Sequence, residues 1–141
     1  AFANVKDNAD SGQFAAIQKA AIVALDDQAD ITPKICAKYE RRLKSMTETL
    51  QKLGFPAKVP EGSFYLYVRA PKGIVGGEQF ATGEDFSQWL IRERLISSVP
   101  WDDAGHYVRF SATFVARGGK EEEEKVLGEF ASRLSGSKFV F

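Results

Sequence analysis

Two segments with strict alternation constrain the fold of this chain more than any other feature. In both, apolar residues alternate with polar or aromatic ones, a period that places the two kinds of side chain on opposite faces of a strand. The apolar sets are Phe64, Leu66 and Val68 in SFYLYVRA, and Val108, Phe110, Ala112 and Phe114 in HYVRFSATFV. Each segment therefore predicts a strand of a sheet that covers a core on one face only.

Helical patterns occupy most of the remaining chain. Residues 12–25 predict a helix that is apolar around most of its circumference. A second, one-sided helix is expected with Thr32 as N-cap and an end near Gly54. Thr82 is expected to cap a third helix, and a last helix follows the second strand. Residues 72–83 hold four glycines and predict a surface loop.

These elements predict an α/β chain, specifically an α+β two-layer sandwich in which a mostly antiparallel sheet packs against helices. Residues 31–141 are expected to form this domain. The helix within residues 1–30 does not fit two layers, because it would expose apolar surface unless another domain or subunit covered it. Residues 1–30 are therefore interpreted as an additional N-terminal interface helix.

The composition argues against several classes of function. Lys plus Arg and Asp plus Glu each number 19, so there is no excess charge to attract nucleic acid or a membrane surface. No apolar stretch approaches the roughly 20 residues that cross a bilayer. One cysteine and one histidine give neither an internal disulfide nor a metal-ligand cluster. A cytoplasmic protein without a metal site is expected.

Arg109 is the residue most suggestive of chemistry. It lies in the middle of the second predicted strand, on the face opposite Val108 and Phe110. A planar guanidinium in this position can bind a carboxylate through two parallel hydrogen bonds. The alternative is a sheet-surface arginine that pairs with a nearby Asp or Glu, and local sequence alone leaves both open. Phe64, by contrast, is expected to pack in the core, and Trp101 to be a packing residue.

Four segments in fixed order resemble a known family. They are DSGQFAAIQKAAIVAL, YERRLKSMTETLQKLGF, PEGSFYLYVRAP and VPWDDAGHYVRFSATF. Together they are similar to the C-terminal part of class I/II, fold-type I aminotransferases, which use pyridoxal 5'-phosphate (PLP), and most of all to the branch of LL-diaminopimelate and aspartate aminotransferases. The resemblance implies that residues 1–30 end the large domain and that residues 31–141 are the small C-terminal domain.

The resemblance also implies roles for individual residues. The family's Arg-x-Ser motif falls on Arg109 and Ser111, so Arg109 would bind the substrate carboxylate. The family's aromatic strand falls on the first alternating segment, so Tyr65 would line the pocket, and Phe64 would do so as an alternative to core packing. Asn8, Asp10 and Ser11 would lie near the neighbouring subunit's site in a homodimer, although capping of a helix is an alternative role for Asp10 or Ser11.

No catalytic residue is expected in this chain, because the family's cofactor lysine lies upstream of the region that the chain resembles. PLP would belong to the parent enzyme, which transfers an amino group between an amino acid and a 2-oxo acid, and the isolated chain would bind none and be inactive. Two other functions remain open at this point. They are a stand-alone amino-acid-binding regulatory domain and an interaction module that dimerises through the first helix.

Overall fold

The structure is a computed structural model that describes residues 1–9, 12–26 and 31–141. The chain divides into two compact units, Ala1–Ala37 and Lys38–Phe141. The division into residues 1–30 and 31–141 that the family resemblance implies stays a prediction.

The first unit contains helices in its described residues. Helix α1 spans Phe2–Ala9 and α2 spans Ala15–Asp26. Helix α1 was not among the predicted elements, whereas α2 matches the predicted apolar helix. Every residue of α2 is exposed, and the apolar ones include Ile17, Ile22 and Val23. The expectation that this helix leaves apolar surface uncovered is therefore met within the described residues.

Helix α3 spans Ile31–Lys52. Thr32 lies inside α3 and not at its N-cap, so that prediction is wrong. The C-terminal end is as predicted, because Gly54 has φ 87° and the backbone N–H groups of Gly54 and Phe55 donate to the carbonyls of Gln51 and Leu50. This pair of bonds satisfies the last carbonyls of a helix and favours glycine at the left-handed position.

The second unit contains two antiparallel sheets among its described strands. The strands are β1 (Tyr65–Arg69), β2 (Gly73–Ile74), β3 (Val99–Pro100), β4 (Tyr107–Ser111) and β5 (Phe139–Val140). One sheet has the order β1-β4-β3, and β2 pairs with β5 in the other. Helices α4 (Gly83–Arg94) and α5 (Lys120–Leu134) complete the unit. Helices with small antiparallel sheets confirm the predicted α/β class.

The core lies under one face of the larger sheet. Alternation places Leu66, Val68, Val108 and Phe110 on this face, and each is at most 3% exposed. The buried residues of α3 and α4 that join the same cluster are Leu43, Met46, Leu50, Phe86, Trp89 and Leu90. The prediction that Phe64 packs in the core is wrong. It precedes β1 and is 39% exposed, with its ring against those of Tyr39 and Tyr65.

The region predicted as a loop, residues 72–83, contains β2. Two residues are too few to show an alternating pattern, and their partner β5 lies far along the chain. Local sequence therefore had no signal for this pairing.

Candidate functional site

The uncovered face of the larger sheet carries the predicted site. Because residues alternate along a strand, burial of one face leaves Tyr65 and Tyr67 of β1 beside Arg109 and Ser111 of β4 on the other. The register places Tyr67 opposite Arg109 and Tyr65 opposite Ser111. On the other side of β4, Arg109 is opposite Val99 of β3.

The guanidinium of Arg109 lies between two aromatic rings. Its Cζ atom is 4.0 Å from the centroid of the Tyr65 ring and 4.8 Å from that of the Trp101 ring. Both distances are within the range at which a ring face attracts a cation. Among the described residues, no carboxylate forms an ion pair with Arg109, and its buried Nε atom has no hydrogen-bond partner.

Trp101 reaches Arg109 because the turn after β3 is anchored. The backbone N–H of Trp101 donates to the carbonyl of Tyr107 at 2.9 Å. The Trp101 ring meets the Tyr67 ring edge-on, with the ring centroids 5.9 Å apart. The next residue, Asp102, accepts hydrogen bonds from the backbone N–H groups of Gly83, at 2.6 Å, and Glu84, at 3.0 Å. A carboxylate here interacts favourably with the helix dipole, so the start of α4 holds the turn in place.

The start of α4 is itself fully capped and tightly packed. As predicted, Thr82 is the N-cap, and it forms a capping box with Asp85. Hydrogen bonds from Thr82 lower the pKa of the Asp85 carboxyl. Gly83 permits a close approach of backbones, because a Cβ atom at this position would collide with the carbonyl oxygen of Tyr107.

The other predicted site residues are placed as follows. Ser111 is exposed, and its Oγ shares a hydrogen bond of 2.7 Å with Oγ1 of Thr113. Asn8 is exposed near the end of α1, and its Nδ2 donates to the carbonyl of Asn4 at 2.6 Å. Asp10 and Ser11 lie outside the described residues. The binding roles of all these residues stay predictions.

A second arginine site, not anticipated from the sequence, lies away from this face. Glu123 of α5 is 6% exposed and receives hydrogen bonds from Arg41 and Arg42 of α3 at 2.8 to 3.0 Å. The hydrogen bond from Arg41, followed by that from Arg42, lowers the pKa of Glu123 to about 2, against the opposing effect of burial. Neither periodicity nor a motif connects residues so distant in sequence.

Arg42 uses its remaining donors on the backbone. It is 2% exposed, and its Nη1 donates to the carbonyls of Ala112, at 3.1 Å, and Phe114, at 2.7 Å. The cluster of Arg41, Arg42 and Glu123 thus joins α3, α5 and the segment after β4. Because Arg42 and Glu123 are buried and bind each other, and Arg42 also binds the backbone, we interpret this cluster as structural.

Two other features, a metal cluster and a membrane-spanning helix, are absent from the described residues. Within residues 1–9, 12–26 and 31–141, no group of three or more His, Cys, Asp or Glu side chains could hold a metal ion. No helix in these ranges is long and apolar enough to cross a membrane.

Comparison with known proteins identifies relatives along the whole chain. No protein-family model matches it. In an alignment of 144 residues, the chain is 54% identical to the LL-diaminopimelate aminotransferase of Methanococcus maripaludis. This alignment covers 99% of the chain and 34% of the relative. The chain is 53% identical to the LL-diaminopimelate aminotransferase of Methanocaldococcus jannaschii, covering 100% of the chain and 35% of the relative. The chain therefore spans about a third of the length of these relatives.

Solved structures of aminotransferases share the fold of this chain. Aspartate aminotransferase from Rhizobium meliloti superimposes with a TM-score of 0.73 and 24% identity, over 97% of this chain and 34% of the other. A double mutant of Thermus thermophilus aspartate aminotransferase superimposes with a TM-score of 0.71 and 25% identity, over 93% of this chain and 33% of the other. In sequence and fold the chain is thus homologous to the C-terminal part of LL-diaminopimelate aminotransferase-like, fold-type I aminotransferases, and it belongs with that family.

Proposed function

We propose that this chain contributes the substrate-carboxylate site of an aminotransferase, with Arg109 as the residue that binds the carboxylate. The observation that supports this most is the environment of the Arg109 guanidinium, which aromatic rings cover and which no described acid neutralises. A half-buried cation without an internal counter-ion is suited to a ligand that brings its own negative charge.

The geometry of an arginine determines what it can do here. Two parallel N–H···O bonds fix both the position and the rotation of a carboxylate, so the remainder of an amino acid would be held at a defined distance and angle from the sheet. Orientation of this kind lowers the barrier of a reaction that occurs elsewhere on the substrate. Tyr65 would form a wall of the pocket, and Ser111 would supply a hydroxyl at its edge.

The cofactor of such an enzyme would be PLP, which supplies an electron sink when bound. The open face of the sheet does not provide a site for it, because none of its residues is a lysine that could hold the cofactor covalently. These residues are Tyr65, Tyr67, Arg69, Val99, Tyr107, Arg109 and Ser111. We therefore assign no step of the cofactor chemistry to this face. Its proposed contribution is to bind and orient the substrate.

The names of the relatives suggest the substrate. Both methanogen proteins are called LL-diaminopimelate aminotransferases. An amino acid of this kind carries two carboxylates, and we propose that Arg109 binds the one next to the reacting amino group. A 2-oxo acid would be the partner in amino-group transfer.

We also retain three proposals about the assembly and domains of the enzyme. The enzyme would be a homodimer in the cytoplasm. Residues 1–30 and 31–141 would be parts of two domains. The side chains near the partner's site would be Asn8, Asp10 and Ser11.

The substitution Arg109→Lys tests the assignment. It is made in the full-length aminotransferase to which we propose this chain belongs. Lysine keeps the charge and loses the planar two-point grip, so we expect a raised KM and a kcat/KM lower by about 10²-fold, equivalent to about 3 kcal/mol. The matched control is Arg92→Lys, at an exposed arginine that pairs with Glu78. Steady-state kinetics should show nearly normal constants for the control.

Kinetic constants of Arg109→Lys within twofold of the unsubstituted enzyme would contradict the proposal. Titration calorimetry of the 141-residue chain with amino acids checks the alternative of a stand-alone binding domain. We expect no saturable binding, and a saturable signal that Arg109→Lys abolishes would favour the regulatory domain instead.

A further inference from the structure

We propose that Trp101 is a positioning residue, which together with Tyr65 holds the Arg109 guanidinium between two aromatic faces and so presents its Nη edge to a carboxylate. This proposal rests on the proposed function of Arg109. It adds a residue that acts through the arginine without contacting the substrate itself.

The first argument concerns what restrains the guanidinium. Arg42 is oriented by three hydrogen bonds, to Glu123 and to two backbone carbonyls. For Arg109 the described residues provide no such bond, and its Nε is buried without an acceptor. Among the described residues, the close partners of its charge are the rings of Tyr65 and Trp101, whose centroids lie 4.0 and 4.8 Å from Cζ. Its orientation therefore depends on these rings.

The second argument concerns Trp101 itself. Its side chain is 38% exposed and is not among the residues of the buried core. Packing alone therefore does not account for an indole at this position. The edge-on contact with Tyr67 and the attachment of Asp102 to the start of α4 restrain the indole through groups other than Arg109.

The third argument is chemical. A carboxylate partner would neutralise Arg109 and occupy the donors that a substrate needs. An aromatic face attracts the cation through its quadrupole and accepts none of the in-plane N–H groups. Two rings can thus hold the guanidinium and leave both its charge and its Nη donors available to a ligand.

Side-chain NMR of the 141-residue chain tests the geometry. Protons above a ring face are shifted upfield, so the Arg109 side-chain N–H signals should lie upfield of those of Arg92, which pairs with Glu78 and contacts no aromatic ring among the described residues. Trp101→Leu should reduce this shift, whereas Trp101→Phe, which retains a ring face, should preserve part of it. Arg109 signals at the same position as those of Arg92 would overturn the proposal.

Kinetics of the enzyme test the positioning role. Loss of one ring contact should raise KM by about 2- to 30-fold in Trp101→Leu, the range that corresponds to about 0.5–2 kcal/mol for a cation–π pair. We expect a smaller change in kcat and substantial rescue by Trp101→Phe. In an enzyme that already carries Arg109→Lys, Trp101→Leu should raise KM little further, because its effect depends on the guanidinium.

The two proposals fail in different ways. Impaired Arg109→Lys with unchanged Trp101→Leu would overturn the role of Trp101 and leave the carboxylate site intact. Additive effects of the two substitutions would also overturn it, since Trp101 would then act independently of Arg109. Normal kinetics of Arg109→Lys would overturn the proposed function, and the positioning role with it.

Discussion

Arg42 and Arg109 lie in the same unit and have opposite surroundings. Arg42 is 2% exposed, donates to Glu123 and to two carbonyls, and lies over the Phe114 ring with its Cζ 4.4 Å from the centroid. Arg109 is half-buried between two rings and has no acid partner among the described residues. Both arginines contact an aromatic face, so the difference lies in what their N–H groups bind.

This difference separates a stabilising arginine from one that we propose binds a substrate. A buried charge that loses its partner is strongly destabilising, so Arg42 and Glu123 depend on each other. A guanidinium that is held only by aromatic rings can bind a carboxylate of a ligand with little change in the stability of the fold. We therefore expect substitutions at the two sites to affect different measurements, with stability responding at one and substrate kinetics at the other.

The largest expected effect is at the buried cluster. Glu123→Gln leaves the guanidinium of Arg42 buried without a counter-charge, and we expect the free energy of unfolding to fall by about 3–5 kcal/mol. Urea unfolding of the 141-residue chain measures this loss. Arg109→Gln should lose less in the same experiment, about 1–2 kcal/mol, because it gives up the two ring contacts of the guanidinium but breaks no ion pair with a described residue. Similar losses in both variants would remove the distinction between the sites.

The pH dependence of stability sharpens the same contrast. The folded-state pKa of Glu123, about 2, lies below its ordinary value of 4.5. As pH falls the unfolded chain therefore binds this proton first, so the stabilisation is fully present above pH 4.5 and disappears towards pH 2. The difference corresponds to roughly 3 kcal/mol. Unfolding curves between pH 6 and 2 should show this decline, and Glu123→Gln should flatten it by about that amount. An unchanged slope in the variant would assign the decline to other carboxylates.

A smaller effect is expected where α4 supports the turn of Trp101. In Gly83→Ala the new Cβ meets the Tyr107 carbonyl and the Asp102 carboxylate, and forced contacts of this kind cost about 1–3 kcal/mol. Gly128→Ala is the matched control, because open space surrounds that position in α5, and alanine should add about 0.5–1 kcal/mol of stability. Thermal unfolding compares the two. A Gly83→Ala variant as stable as the starting chain would mean that α4 does not fix this turn.

The sequence was informative wherever structure is local. Alternation predicted β1 and β4 and the burial of Leu66 and Val108, and cap chemistry predicted Thr82 at the start of α4. Alternation wrongly predicted the burial of Phe64. Strand β1 begins one residue later, at Tyr65, whereas the apolar pattern extends to the residue before it.

The site was predictable in part for the same reason. The position of Arg109 within a strand defined the face on which its side chain lies. That Trp101 contacts it from a turn after another strand, and that Glu123 of α5 neutralises Arg42 of α3, are results of tertiary packing. Such contacts join residues whose spacing follows no period, so no pattern in the sequence predicts them.

The pairing of β2 with β5 has a consequence for the order of folding. The backbone N–H of Lys72 donates to the carbonyl of Val140, and Phe139 and Phe141 pack on Phe55. On the ribosome, residues 72–74 emerge long before the strand that completes their sheet. The entropic cost of closing this long loop comes before its contacts form, so the smaller sheet should assemble late. Until then the aromatic cluster around Phe55 stays open, and a nascent chain would be most prone to aggregation during that interval.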